Sequence, residues 1–359
     1  MTNSRFRIAD REIGIERRPY VVAELSGNHN GSIERAFKLM EMVKACGADA
    51  IKIQTYTADT LTIDCDLPDF RIKGGLWEGR SLYELYQEAH TPWEWHAALF
   101  AKARELGITI FSTPFDESAV RFLEDLGAPA YKIASFEMVD LELIRCVAVT
   151  GKPAIISTGM GSEAEIDEAV AAFRGAGGGR LVLLHCVSGY PSPVNQSNLR
   201  RIPQLCARYG CPVGLSDHTL GVEVAIASTS LGACVIEKHV TLARADGGPD
   251  AGFSLEPEEL AALVRGVGAA FSALGTGSVA RAEVEQASLV FRRSIYVVRD
   301  IAPGEPFSRD NVRVIRPGFG ISPKHLPQVI GKQASRALAR GTALRWDMIG
   351  PVRAADVDR

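Results

Sequence analysis

Short runs rich in Val, Ile and Ala recur along the first three quarters of the chain, and longer stretches with apolar residues at helical spacing lie between them. Eight runs read as strands: residues 20–25, 50–56, 108–113, 130–134, 154–158, 181–187, 213–216 and 234–239. They are short and apolar on both alternating faces, the pattern of strands covered on both sides. Helical patterns occupy 32–46, 92–106, 117–126, 163–174 and 221–231. Ser32, three residues before Arg35, suits an N-cap, and Ser162 with Glu165 forms a capping box. Gly47, Gly107, Gly127 and Gly232 sit just past helix ends, where a left-handed cap needs no Cβ. Strands alternating with helices pair in parallel, and eight such units over about 250 residues match a (β/α)8 TIM barrel. A doubly wound open sheet is the competing arrangement, disfavoured by the count of eight and by the lack of a GxGxxG turn. The insertion at 57–91 follows the second strand, so in a barrel it would roof the mouth where chemistry occurs.

The pattern changes after the last helical stretch, 258–274. The barrel domain is therefore expected over 1–275, with a small, polar linker at 276–290. Residues 291–350 are dense in Pro and Gly turns, with strand-like runs at 294–298, 312–315 and 337–340. They read as a compact, mostly β module, small enough to need a packing partner, followed by a tail at 351–359. The chain has 359 residues, 46% hydrophobic and 23% charged, with 40 Lys plus Arg against 43 Asp plus Glu. A net charge of −3 offers no basic excess for nucleic acid or an anionic membrane. No apolar run is long enough to span a bilayer, and the first residues lack a secretory h-region. Seven scattered cysteines without CxxC pairs read as reduced, cytoplasmic thiols.

Polar residues stand at all eight expected strand tips. They are Glu24; Lys52 and Gln54; Ser112 and Thr113; Lys132, Ser135 and Glu137; Ser157; His185 and Cys186, with Ser188 and Tyr190 beyond; Ser216, Asp217 and His218; and Glu237 and His239. Lys52 and Lys132 alternate with isoleucines, so each shares a strand face with other polar groups. Two such ammonium groups with Ser112, Thr113, Ser135, Ser157 and Ser216 suit an oxyanion such as phosphate. His218 and His239 end neighbouring strands, where two imidazoles can share a divalent ion and leave positions open for water or substrate. Glu24, Glu137, Asp217 and Asp250 are the carboxylates suited to proton movement or to sugar hydroxyls. Glu237 and Asp246 read as solvated or as structural partners, His29 as a loop cap and His185 as structural. Trp77 is a candidate pocket wall, whereas Trp93 and Trp95 read as packing, and no cysteine shows an adjacent base.

The segments Ala23-Glu24-Leu25-Ser26-Gly27-Asn28-His29-Asn30-Gly31, Lys52-Ile53-Gln54-Thr55, Ser112-Thr113-Pro114-Phe115, Tyr131-Lys132-Ile133-Ala134-Ser135, Ser157-Thr158-Gly159-Met160, Gly214-Leu215-Ser216-Asp217-His218-Thr219, Glu237-Lys238-His239 and Gly248-Pro249-Asp250 resemble, in order, those of the sialic acid synthase family. Phe291-Arg292-Arg293-Ser294 and Arg316-Pro317-Gly318-Phe319-Gly320 are similar to the antifreeze-like (SAF) domain that follows the barrel in that family. The resemblance implies condensation of phosphoenolpyruvate with an N-acylated amino sugar. It implies that Lys52, Lys132, Ser135, Ser157 and Ser216, with Thr113 or Ser112, bind phosphoenolpyruvate, while Ser188 stands where the family often has an Asn on the phosphate. It implies a divalent metal, Mn²⁺ or else Mg²⁺ or Co²⁺, on His218 and His239. Glu24, Gln54, Tyr190 and Asp250 would face the sugar and Glu137 the reacting carbons. Arg316 would reach the N-acyl group across a domain-swapped homodimer.

Within the family, the stretches 62–66, 72–77, 83–86 and 91–96 are similar to the pseudaminate-forming branch, with N-acetylneuraminate or legionaminate formation as the alternative. A pyruvate-dependent metal aldolase would not need two lysines and a ring of hydroxyls. Ice binding by the terminal module is disfavoured because residues 291–350 hold a single threonine, Thr342.

Overall fold

The computed structural model describes residues 5–351 and divides into two compact units between Thr276 and Gly277. The first unit begins with a hairpin, β1 (Phe6–Ile8) and β2 (Arg11–Ile13), which sequence patterning did not reveal. Eight parallel strands then close into a barrel: β3 (Tyr20–Glu24), β4 (Ala50–Thr55), β5 (Thr109–Pro114), β6 (Tyr131–Ile133), β7 (Ala154–Ser157), β8 (Leu181–Cys186), β9 (Val213–Ser216) and β10 (Val235–His239). Closure is made by β10 on β3, pairing Val235 with Tyr20 through to His239 with Glu24. The expected barrel is thus the observed one.

Strand parity sorts the side chains. Ile51, Ile53, Ile110, Ile133, Ile156, Leu183, Leu215 and Ile236 face outward into the layer between strands and helices. Tyr20, Val22, Ala50, Phe111, Ala130, Ile155, Val182, Leu184 and Val235 face inward and pack on Phe6, Ile8 and Ile13 of the hairpin. The hairpin therefore plugs the N-terminal end, and apolar layers fill the lower barrel as the fold requires. Asp49 ties this end together by accepting from Arg18 at 2.9 Å and from the backbone N–H of Val21 at 2.8 Å.

The helices start where side chains satisfy their free N–H groups. Ser32 accepts from the Arg35 N–H at 3.2 Å to cap Ile33–Ala45, and Ser162 and Glu165 form the expected box at the start of Glu163–Gly175. The insertion holds a further helix, Leu82–Ala89, boxed by Ser81 and Glu84. Among the described residues no helix is long and apolar enough to cross a membrane.

The second unit has its own core of Ile295, Val297, Ile301, Phe307, Val312, Val329, Leu338 and Leu344. Among the described residues its regular sheet is only β11 (Ser294–Val297) paired antiparallel with β12 (Val312–Ile315). Residues 337–340, expected as a strand, contribute one isolated bridge between Leu338 and Ile301. Turn-to-turn hydrogen bonds hold this unit instead, for example Ile321 N–H to Leu344 O at 2.8 Å.

Candidate active site

The C-terminal half of the barrel interior is polar where the other half is apolar. Parallel register sets Glu24 beside Lys52, Gln54 beside Thr113, and Glu237 beside Ser216. The alternation that sends Val22, Ala50, Ala130 and Val235 inward sends Glu24, Lys52, Lys132 and Glu237 inward one pleat later. All four are almost fully buried, at 0%, 4%, 2% and 4% exposure.

They form one charged array. Lys52 pairs with Glu24, donates to Thr113 Oγ1 at 3.2 Å and lies 3.8 Å from Glu237 Oε2. Lys132 lies 3.8 Å from Glu237 Oε1 and donates to the Ile133 carbonyl at 3.1 Å. Ser216 donates to Glu237 Oε1 at 3.0 Å. Burial works to neutralise the Glu237 carboxyl, but Lys132 and Lys52 outweigh it and hold its pKa below the ordinary value. Burial likewise opposes the Lys52 charge, and Glu237 with Glu24 outweighs it, leaving the pKa raised. For Lys132 burial wins over Glu237 and its pKa is lowered. Lys132 is thus the less compensated ammonium, and an anion beside it relieves a desolvated charge.

Hydroxyls surround this array on neighbouring tips. Ser157 Oγ faces inward, buried and without a hydrogen-bond partner. Ser135 accepts from the Gly159 N–H at 3.1 Å. A Cβ on Gly159 would collide with the Ser135 and Ser188 hydroxyls, so glycine is what lets both converge. Ser188 Oγ also lies 3.9 Å from Cys186 Sγ. Glu137 opens a short turn after β6, and burial pushes its carboxyl up to about 7. Its Oε2 is buried without a partner.

At the mouth the His218 and His239 rings lie 5.4 Å apart between centroids. His218 Nδ1 lies 3.1 Å from the Val187 carbonyl, and His239 Nδ1 lies 3.2 Å from Ser26 Oγ and 3.8 Å from Asp250 Oδ2. Oxygen partners on both Nδ1 atoms leave both Nε2 lone pairs for a ligand, the usual arrangement behind a metal-bound imidazole. Burial, reinforced by His218, holds the His239 pKa well below its ordinary value and keeps the ring neutral. Among the described residues no group of three or more His, Cys, Asp or Glu is arranged to hold a metal. The two Nε2 atoms alone would be the imidazole donors, so an ion there would take its remaining positions from water or substrate. Tyr190 packs on His218 at 4.4 Å and on Phe253 at 5.3 Å, and Asp250 is raised in pKa by burial beside His239.

A scan of family models matches residues 39–279 to the NeuB family and residues 292–350 to the SAF domain. The chain belongs to the NeuB family. It is 44% identical over 330 residues to pseudaminic acid synthase of Campylobacter jejuni, covering 92% of this chain and 96% of that protein. It is 40% identical over 332 residues to the Helicobacter pylori pseudaminic acid synthase, covering 92% and 98%. Among solved structures, N-acetylneuraminic acid synthetase of Leptospira borgpetersenii superposes with a TM-score of 0.72 at 29% identity, covering 80% of this chain and 95% of that one.

In this NeuB chain two expected site residues stand elsewhere. Ser112 faces outward: it donates to the Ile53 carbonyl at 3.1 Å, and its Oγ lies 2.6 Å from Thr55 Oγ1, which contacts His96. Only Thr113 of that pair faces the lysines. Asp217 accepts from Lys238 at 2.8 Å and from the Thr219 N–H at 3.0 Å, both buried on the outer side of β10. It fastens the loop that carries His218. Removing one partner of such a buried pair costs about 3–5 kcal/mol. Asp217→Ala is therefore expected to lose that much in urea unfolding, and Asp217→Leu with Lys238→Met to regain most of it. A single-variant loss below about 1 kcal/mol would refute the clamp.

Arg316 lies in the second unit, exposed at the end of β12. His185 is structural, its Nε2 lying 2.7 Å from the Ser197 carbonyl, and His29 packs edge-on against Trp95. Trp93 stacks on Phe122 at 4.8 Å. Two inward groups named at the strand tips, Glu237 and Cys186, were given no site role in the sequence reading. Cys186 lies 3.8 Å from His218 Nδ1, and although burial opposes it, His218 lowers the thiol pKa. Alternation from His239 back to Glu237, and from Leu184 on to Cys186, would have turned both toward the site.

Proposed function

We propose that the chain condenses phosphoenolpyruvate with 2,4-diacetamido-2,4,6-trideoxy-L-altrose and water, giving pseudaminic acid and phosphate. The carrying observation is the Lys52–Glu237–Lys132 array buried beside the His218–His239 pair. Two lysines with Thr113, Ser135, Ser157, Ser188 and Ser216 hold the phosphate and carboxylate of phosphoenolpyruvate, so its C3 faces the mouth. Gln54, Tyr190 and Asp250 take the sugar's polar groups, and Glu24, expected to face the sugar, supports the site from behind by holding Lys52. His218 and His239 would hold a divalent ion, Mn²⁺ in preference to Mg²⁺ or Co²⁺, and that ion would supply Lewis-acid polarisation of the aldehyde oxygen.

C3 forms the new bond to the aldehyde carbon as the C2–C3 double bond opens. Water adds at C2, and Glu137 accepts one of its protons and passes it to the former aldehyde oxygen. The C2–O bond to phosphate breaks as the remaining hydroxyl proton leaves with phosphate and C2 becomes the ketone. Much of the rate comes from fixed geometry and preorganised charge. Bridge-labelled phosphoenolpyruvate tests the scheme: ¹⁸O is expected in released phosphate, and ¹⁸O retained in the organic product would contradict it.

Glu137 also predicts a pH dependence. Its folded pKa is raised from 4.5 to about 7, so its contribution to stability is full below about pH 4.5 and lost as pH rises through about 7. Turnover that needs the carboxylate runs the other way, rising through about pH 7. Glu137→Gln is expected to lose that limb and to unfold less readily than the parent above pH 7. A retained limb in the variant would assign it to another group.

A domain-swapped homodimer, in which Arg316 of one copy approaches the N-acyl group at the other copy's barrel, completes the proposal. It is supported by exposed apolar side chains on both units: Phe136, Val139, Met160 and Leu220 on loops after barrel strands, and Phe319 and Trp346 in the second. A cytoplasmic location is supported by seven unpaired cysteines.

A further inference from the structure

The insertion after β4 places one side chain against the site. Its segment 72–80 is pinned as a narrow loop by Ile72 N–H to Arg80 O at 2.9 Å and Gly79 N–H to Ile72 O at 3.0 Å. Residues 73–76, 78 and 79 are exposed, whereas Trp77 is half-buried. Its indole N–H donates to the Pro249 carbonyl at 2.8 Å, one residue before Asp250. Its ring lies 5.6 Å from that of Tyr190, which packs on His218 and Phe253. Phe253 in turn lies 4.9 Å from His239. An aromatic wall thus runs outward from the imidazoles to the loop tip.

The geometry points to Trp77 as a specificity-determining residue that reads the far, apolar end of the sugar. The inference rests on the synthase reading above. With the aldehyde carbon at the imidazoles, the opposite end of a six-carbon chain extends along this wall. A 6-deoxy sugar carries a methyl group there. The indole's polar atom is already committed to Pro249, so Trp77 offers that carbon only apolar surface. It favours a methyl group over a hydroxymethyl, whose hydroxyl would lose water without gaining a partner.

The test compares two sugars that differ only at C6, the deoxy substrate and its 6-hydroxy counterpart, by phosphate release from the full chain with Mn²⁺. The parent is expected to prefer the deoxy sugar by roughly 10–100-fold in kcat/KM, the range an apolar pocket discriminates. Trp77→Ala is expected to raise the deoxy-sugar KM about 10-fold, to leave the KM for phosphoenolpyruvate unchanged and to collapse the preference. Trp77→Phe is expected to keep most of it, and equal melting curves exclude misfolding. Equal losses with both sugars, or a loss confined to kcat, overturn the inference while the parent's turnover upholds the synthase reading. No phosphate from the parent with either sugar overturns that reading, and the inference with it.

Discussion

Lys52→Ala and Lys132→Ala are expected to fail differently. Lys52 is the partner of Glu24, a carboxyl with no exposed surface whose pKa burial already raises despite Lys52, and its loss leaves that group buried without its ammonium. Breaking such a pair costs about 3–5 kcal/mol, so Lys52→Ala should unfold early in urea. Lys132 removal takes one of two ammonium groups from Glu237 but also removes a desolvated charge, and Glu237 keeps Ser216 at 3.0 Å and Lys52 at 3.8 Å. Lys132→Ala should therefore melt like the parent, yet raise the KM for phosphoenolpyruvate about 100-fold or more, since truncating one side of a buried charge contact costs roughly 2–5 kcal/mol. An unchanged KM would remove Lys132 from the anion pocket, and equal melting of both variants would refute the asymmetry.

The second large effect concerns the imidazoles. His218→Ala or His239→Ala is expected to abolish Mn²⁺ binding by titration calorimetry and to lower metal-dependent turnover by about 10³-fold or more. The two should act alike because each supplies half of a two-ligand protein set. Fold should survive, since both rings lie near the mouth with oxygen partners at Nδ1. Undiminished Mn²⁺ binding in either variant would move the metal elsewhere.

The barrel was legible because its strands are β-branched runs separated by capped helices, and local signals agree with the global fold. Ser162 with Glu165 and Ser32 with Arg35 cap as their spacing implies. The plug, β1 and β2, escaped notice because three-residue strands carry no periodic signal. Site chemistry was legible in kind and less so in direction. Ser112 and Thr113 both end a strand, and only the pairing of Ile53 with Ser112 shows which one faces out. Asp217 lies just past β9, where parity no longer determines direction, and its partner Lys238 sits on the outward side of the next strand. Glu237 was underrated because a buried carboxylate needs its two lysines in view, and these come from strands distant in sequence. The role of Trp77 depends on a loop folding back to Pro249, which no local pattern encodes.

The most direct test of the central claim measures inorganic phosphate released from phosphoenolpyruvate with Mn²⁺. Parallel reactions contain 2,4-diacetamido-2,4,6-trideoxy-L-altrose, its manno-configured counterpart and N-acetylmannosamine. Stoichiometric phosphate and a nine-carbon 2-keto acid with the L-altro sugar, and little with the others, is the predicted result. Turnover confined to a manno-type sugar would contradict the pseudaminate assignment, and no phosphate with any sugar would contradict the synthase itself.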